Sequence, residues 1–225
     1  MAATTAKPSV HEAEVVCVTI CIDYADYLAE TLPHNRPLFS TYYIITEERD
    51  TRTRELAAAH GCVVLYTTKT HAKGAKFNKS GMLFDAQQHI HRAHTYAWVV
   101  ILDADMYLPV DIWASIRVNA LNKNGIYGLI RHVYASYDDY VSGHVACVDN
   151  GGAVEVAGYF QLYWLKTKYY PKWSNNCGEC DLRFMHGFSH KTTFPVVCVH
   201  FGEKGANWNG RVSAHWTACA AKSEI

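Results

Sequence analysis

The chain has 225 residues, 49% of them hydrophobic, with 21 basic and 21 acidic side chains and a formal net charge of zero. That length and apolar content suffice for one well-packed domain, and the neutral balance excludes the strong electrostatic footprint of a protein that grips long nucleic acid, one local stretch at 69–79 with four lysines aside. No apolar run approaches the ~20 residues that cross a bilayer, so no membrane insertion is expected.

The opening stretch MAATTAKP lacks the charged head and apolar run of a secretory leader, so a cytoplasmic location is expected. The eight cysteines (17, 21, 62, 147, 177, 180, 198 and 219) are then expected to be reduced. Cys17, Cys21, Cys62 and Cys198 fall in apolar runs and read as small core residues. Cys177-Gly-Glu-Cys180 has no second pair at zinc-ligand spacing, and reads as a local loop feature.

In chain order, residues 14–22 (EVVCVTICI) predict a strand and 24–31 a short helix. Residues 41–46 predict a second strand, 52–60 an alanine-rich helix and 61–67 a third strand. Across 78–94 the apolar residues Met82, Leu83, Ala86, Ile90 and Ala93 recur at helical spacing, as on an amphipathic helix packed against a sheet. A fourth strand then ends at Asp103. The alternation implies an α/β architecture, a mostly parallel central sheet with helices on both faces. Beyond it the pattern predicts a helix at 111–121, a strand at 126–132, a glycine-bearing polar stretch at 142–152 and a strand at 159–165. A turn at Tyr170-Pro-Lys, a helix at 181–188 and a last strand at 194–201 complete the series. No linker interrupts it. We read 1–225 as one domain, with a nucleotide-binding half (14–108), a substrate-binding half (109–211) and a tail (212–225).

The most informative segment is Trp98-Val-Val-Ile-Leu-Asp-Ala-Asp-Met-Tyr-Leu-Pro109, five apolar residues running into Asp103-Ala-Asp105. Ligands of open α/β sheets collect at the carboxyl ends of the strands, which places both carboxylates at a cleft. Two hard oxygen ligands one residue apart can share a divalent cation whose free positions are filled by substrate phosphates. Asp105 could instead cap a helix beginning near Pro109.

Further segments follow in order: Lys76-Phe-Asn78-Lys79-Ser, Gly158-Tyr-Phe-Gln-Leu162, a loop with Glu179 and Asp181, and Val199-His200-Phe-Gly202-Glu-Lys-Gly-Ala-Asn-Trp208-Asn-Gly-Arg211. With the Asp-x-Asp, this ordered set resembles the GT-A nucleotide-sugar-dependent glycosyltransferases, in a compact family-2-like form of the sort found in bacteria and large viruses, over residues 14–211. If the chain is viral, the expected location is the host cytoplasm.

The resemblance implies a GT-A-like, Rossmann-like fold and a role for each matched residue. Asp103 and Asp105 would hold Mn2+ or Mg2+ against the diphosphate, with Ala104 between them at the nucleotide. His200 would supply a third ligand, although a lone histidine is more often a packed residue. Asn78 and Lys79 would lie at the nucleotide, and Lys79 and Arg211 are candidates for diphosphate oxygens, with ordinary surface charge as their alternative. Thr19, Cys21 and Asp23 would face the nucleoside, while Asp23 could equally cap the helix at Tyr24. Asp181, with Glu179 as rival, resembles the acid that supplies the general base of inverting relatives, and Asp181 could equally be a helix N-cap. Among the 15 Tyr, 6 Trp and 8 Phe, most read as core, and Trp208 in its Gly/Asn-rich loop is the expected substrate contact.

The expected activity is metal-dependent transfer of a sugar from a nucleoside diphosphate, taken to be UDP-linked, to an acceptor hydroxyl with inversion. The acceptor could be a glycan, a protein or a hydroxylated nucleobase in DNA. A nucleotidyltransferase is the alternative enzyme, although Asp23-Tyr-Ala-Asp-Tyr27 offers no glycine-rich phosphate loop after the first strand. A non-catalytic nucleotide-sugar or glycan-binding domain is the third reading.

Overall fold

The computed structural model describes residues 13–149, 156–203, 205–213 and 216. The opening stretch, Cys219, part of the polar stretch 142–152 and most of the tail lie outside the described residues. The first buried run forms β1 (Glu14–Ile20), parallel to β2 (Thr41–Thr46) on one side and β4 (Ala97–Leu102) on the other; β3 (Val63–Tyr66) extends the sheet beyond β2. Between these strands run α1 (Ala25–Asn35), α2 (Thr51–Ala59) and α3 (Lys79–Ala93). Asp50 caps α2 by accepting from Thr53 N at 3.2 Å, and Asn78 caps α3 by accepting from Gly81 N at 3.0 Å. Helix α1 continues four residues past its expected end and carries Pro33 in its last turn, because Thr31, Leu32 and Asn35 are all buried and hold that turn in place.

The second half departs further from the sequence pattern. The helix expected at 111–121 is short, α4 (Ile112–Ile116), because Arg117 turns left-handed at φ 49° and breaks it. Strand β6 (Gly125–Tyr134) is followed by two unforeseen elements, α5 (Tyr137–Ser142) and β7 (Cys147–Asp149). Strand β8 (Phe160–Trp164) inserts between β4 and β6, antiparallel to both. Helix α6 (Cys177–His186) leads to β9 (His190–Phe201), which lies parallel to β6 and bulges past Pro195, where no backbone N–H is available for the ladder.

A two-residue strand, β5 (Met106–Tyr107), pairs antiparallel with the end of β9. The sheet order is β3-β2-β1-β4-β8-β6-β9-β5, with β7 on β6. Strands β1, β2, β3, β4, β6 and β9 run one way and β5, β7 and β8 the other, so the sheet is mixed but mostly parallel. Side chains of α1, α2 and α4 join one buried cluster with Cys17 and Val100. Those of α3 and α6 join another with Val16 and Val99, which gives helices on both faces. No helix among the described residues is long and apolar enough to cross a membrane.

Candidate active site

Strand β4 is buried along its whole length and ends in a tight turn that presents Asp103 and Asp105. Asp103 N donates to Tyr159 O at 3.1 Å and Met106 N to Asp103 O at 3.3 Å. The end of α1 clamps the same turn. Thr31 Oγ1 donates to Ala104 O at 2.7 Å, Asn35 Nδ2 to Met106 O at 2.6 Å, and Leu108 N to Asn35 Oδ1 at 3.1 Å. Three backbone groups of the turn are thereby satisfied, which ties it to the end of α1. Asp105 does not cap α4, whose N-terminal flank is Asp111.

The β5–β9 pairing sets Met106 opposite His200 and so brings the imidazole alongside the Asp-x-Asp turn. His200 Nε2 lies 3.5 Å from Asp105 Oδ2. Burial pushes the Asp105 carboxyl above its usual range, His200 draws it back and Asp103 raises it further. Asp105 Oδ1 and His200 Nδ1 are buried and have no hydrogen-bond partner in the structure. Orphaned acceptors of this kind in an acidic cleft fit an oxygen- and imidazole-preferring cation. Among the described residues no three His, Cys, Asp or Glu side chains stand ready as a metal cage. The donor set therefore suits a cation held by one or two carboxylates and completed by substrate phosphates and water.

Lys79 occupies the centre of the site rather than its rim. Its ammonium donates to Asp103 Oδ1 at 3.0 Å, Asp181 Oδ2 at 3.0 Å and Gly158 O at 3.3 Å, and the residue is only 4% exposed. Burial alone would lower its pKa; Asp103 and Asp181 more than reverse this and hold it well above the ordinary lysine value. All three of its protons are committed within the protein, so Lys79 is spent on the acids instead of being free for diphosphate oxygens.

Asp181 likewise differs from expectation. Helix α6 begins at Cys177, capped by Asn176 accepting from Glu179 N at 3.2 Å, so Asp181 sits a full turn inside the helix and is not its N-cap. Its Oδ1 accepts from Tyr170 Oη at 3.0 Å, and its Oδ2 from Lys79. A Cβ at Gly158 would overlap this carboxylate, so the close approach of the 157–159 turn needs glycine there. Burial raises the Asp181 carboxyl to about 6, with Lys79 pulling the other way. Glu179 lines the same cleft, with 43% of its side chain exposed and a 2.5 Å pair to Arg183. In the Cys-x-x-Cys segment, burial pushes Cys177 up to about 12 and Cys180 higher, so both are protonated thiols.

These residues border a cleft of about 730 Å³, ample for a nucleotide sugar. Of the expected contacts, Lys79, Asp103, Ala104, Asp105, Glu179, Asp181, His200 and Trp208 line it. Thr19 and Cys21 do not: Thr19 Oγ1 bonds Tyr42 Oη at 2.9 Å and Cys21 Sγ bonds Thr53 Oγ1 at 3.2 Å, both buried in the sheet's other face. Side chains alternate along this chain segment, and Ile20 and Ile22 are the ones that reach the cleft. Asp23 neither lines the cleft nor caps α1; it pairs with Arg49 at 3.0 Å at a left-handed φ of 60°. Asn78 is buried as the α3 cap and also accepts from Ser174 N at 3.1 Å. Arg211 stands outside the cleft lining, its guanidinium on Asp26 at 2.7 Å and over the rings of Tyr24 and Tyr27. Arg131, Asp149, Tyr159 and Glu203 also line the cleft and were not anticipated. A strand residue such as Arg131 carries no local mark of which cleft it faces.

Neither a family model nor a curated protein sequence matches the chain. Solved structures do. A mannosyltransferase, PcManGT from Pyrobaculum calidifontis, solved with GDP-Man and Mn2+, superposes with a TM-score of 0.55 at 17% identity over 85% of this chain. The fold is that of the GT-A glycosyltransferases. S. aureus TarS 1-349 matches at a TM-score of 0.54 and 9% identity, covering 84% of this chain and 60% of TarS. Glucosyl-3-phosphoglycerate synthase of Mycobacterium tuberculosis, solved with Mg2+ and UDP, matches at 0.50 and 12% identity, covering 85% of this chain and 72% of that enzyme. The chain spans 57% of the length of the mannosyltransferase.

Proposed function

We propose that this chain is a glycosyltransferase that moves a hexose or related sugar from a nucleoside diphosphate to an acceptor hydroxyl. The observation that carries the reading is the Asp103-Ala-Asp105 turn at the end of β4, with His200 set beside it by β5 and β9, inside a GT-A cleft. The structural neighbours solved with GDP-Man and Mn2+, or with UDP and Mg2+, support a nucleotide-sugar donor and a divalent cation. One or both of Asp103 and Asp105, with His200 beside them, would hold that Mn2+ or Mg2+. When bound, such an ion stabilises the negative charge that develops on the leaving diphosphate. The chain's own groups do the rest. The α1 clamp holds the carboxylates in register, Lys79 ties Asp103 to α6, and the apolar Ile20 and Ile22 wall excludes water beside the nucleoside.

For the base that takes the acceptor proton, we assign Glu179 rather than Asp181. Both oxygens of Asp181 are held, by Lys79 and Tyr170, whereas Glu179 is 43% exposed in the cleft and pairs through Oε1 with the exposed Arg183. Direct displacement with a positioned base gives inversion. Glu179→Gln is expected to lower kcat by about 10²–10⁴-fold with nucleotide affinity retained, measured by donor turnover and calorimetry. Turnover at the wild-type rate would return the role to Asp181.

The donor is proposed to be uridine-linked. Calorimetric titration of UDP and GDP, first with Mn2+ and then with chelator, tests both this and the metal. Binding of UDP that disappears on chelation is the expected result. Failure of both nucleotides to bind would make the Asp103/Asp105 turn structural and remove the assignment.

A further inference from the structure

The cleft's charge and its exposed aromatic narrow the class of acceptor. Among the described residues six carboxylates line it, Asp103, Asp105, Asp149, Glu179, Asp181 and Glu203, against two cations, Lys79 and Arg131. Both cations are engaged. Lys79 is bound to Asp103, Asp181 and Gly158 O. Arg131 holds Asp149 Oδ2 through Nη2 at 2.9 Å and Nε at 3.2 Å, with its guanidinium 4.3 Å from the centre of the Tyr159 ring. Whatever divalent cation accompanies the donor is matched by the donor's own diphosphate. Arg183, outside the lining, pairs with Glu179 at 2.5 Å, so six carboxylates face three engaged cations. That excess of acid remains for the acceptor, and a phosphate or carboxylate arriving there meets repulsion with neither lining cation free to offset it.

The cleft also presents a flat apolar surface. Trp208 is 59% exposed, and its indole packs where a Cβ on Gly178 or Gly205 would meet the ring at 3.6 and 3.7 Å. Its loop is anchored to the start of α6 by Cys177 N donating to Trp208 O at 3.1 Å, which keeps the ring beside the helix turn that carries Glu179. An exposed indole offers a sugar ring a face for its C–H groups and an N–H for a hydroxyl.

We infer that the acceptor is an uncharged saccharide, its ring packed on Trp208 and its reacting hydroxyl directed to Glu179. This rests on the glycosyltransferase reading above. An acidic small acceptor and a nucleic acid, whose backbone is a dense row of phosphates, are the excluded classes.

The test uses the full chain with Mn2+ and a panel of UDP- and GDP-sugars. Release of nucleoside diphosphate is measured with methyl glycosides of common hexoses, with 3-phosphoglycerate, and with an oligonucleotide carrying hydroxymethylated bases. Stimulated release by a glycoside, with kcat/KM at least about 100-fold above either anionic acceptor, is expected. Trp208→Ala should then raise the glycoside KM by roughly tenfold with a smaller change in kcat, and Trp208→Phe should restore most of it. Faster turnover of an anionic acceptor, no stimulation by any glycoside, or a glycoside KM unmoved in Trp208→Ala would each overturn the inference while nucleotide binding still stood. Absence of nucleotide binding would instead remove the glycosyltransferase reading itself.

Discussion

Asp105→Asn is expected to lower kcat by on the order of 10³-fold, the loss that follows when a group stabilising developing charge is removed from a closed site. Asn keeps the shape of the carboxylate and loses its charge, so the cleft would hold a cation against the diphosphate more weakly. The fold should survive and even gain. Burial raises the Asp105 carboxyl and Asp103 adds to that, so the native state already bears a cost for this charge that the amide does not. Thermal unfolding should therefore show an unchanged or higher midpoint for Asp105→Asn, alongside lost transfer. Asp103→Asn should lose transfer to a similar degree and stability as well, because Asp103 is a partner of Lys79. Transfer at the wild-type rate by either variant would end the proposed mechanism.

Lys79→Met is the change expected to cost the most stability, about 3–5 kcal/mol, the range for removing one partner of a buried ion pair. For a chain of this length that lowers the unfolding midpoint by on the order of 10 °C. The cost arises from what is left behind: Asp181, with 11% of its side chain exposed, must either carry a charge with no cation against it or take up a proton. Asp103, 39% exposed, reaches water and tolerates the loss better. Lys79→Met with Asp181→Asn should recover much of the deficit, and a double variant no more stable than the single one would show that the pair does not hold this site together.

The pH dependence has a definite sign. In the native state burial raises Asp181 to about 6, against a usual 3.8, so the folded chain keeps a proton that the unfolded chain has lost. This contribution is fully present below about 4 and is lost as pH rises through about 6. Without Lys79 the native carboxyl moves higher still, so the deficit of Lys79→Met should be smaller at pH 5 than at pH 8.

The first half of the fold was legible because its signals are local. Apolar β-branched runs bounded by capping residues, as at Asp50 and Asn78, specify strands and helices within a few residues of themselves. The Asp-x-Asp turn was legible for the same reason, since a buried run ending in two acids places them at a strand's carboxyl end. The second half was harder. Strand β5 has two residues and no pattern of its own; it exists because β9 is there to pair with it. Helix α6 began four residues early because Asn176, unmarked among polar neighbours, supplied the cap, and that shift moved Asp181 from the helix start into the core.

What the sequence determined by itself was the α/β class and the position of Asp103 and Asp105 at the end of their strand, because each depends on periodicity and residue chemistry over short spans. Tertiary structure alone decided their partners. Lys79 and Asp181 are 102 residues apart and bonded. Ile20 and Ile22 face the cleft in place of Thr19 and Cys21 because burial of the opposite sheet face fixed the strand's parity. Arg211 was taken up by Asp26, 185 residues away. Which charge meets which is settled by long-range packing, where a buried ion must find its counter-ion wherever the fold supplies one.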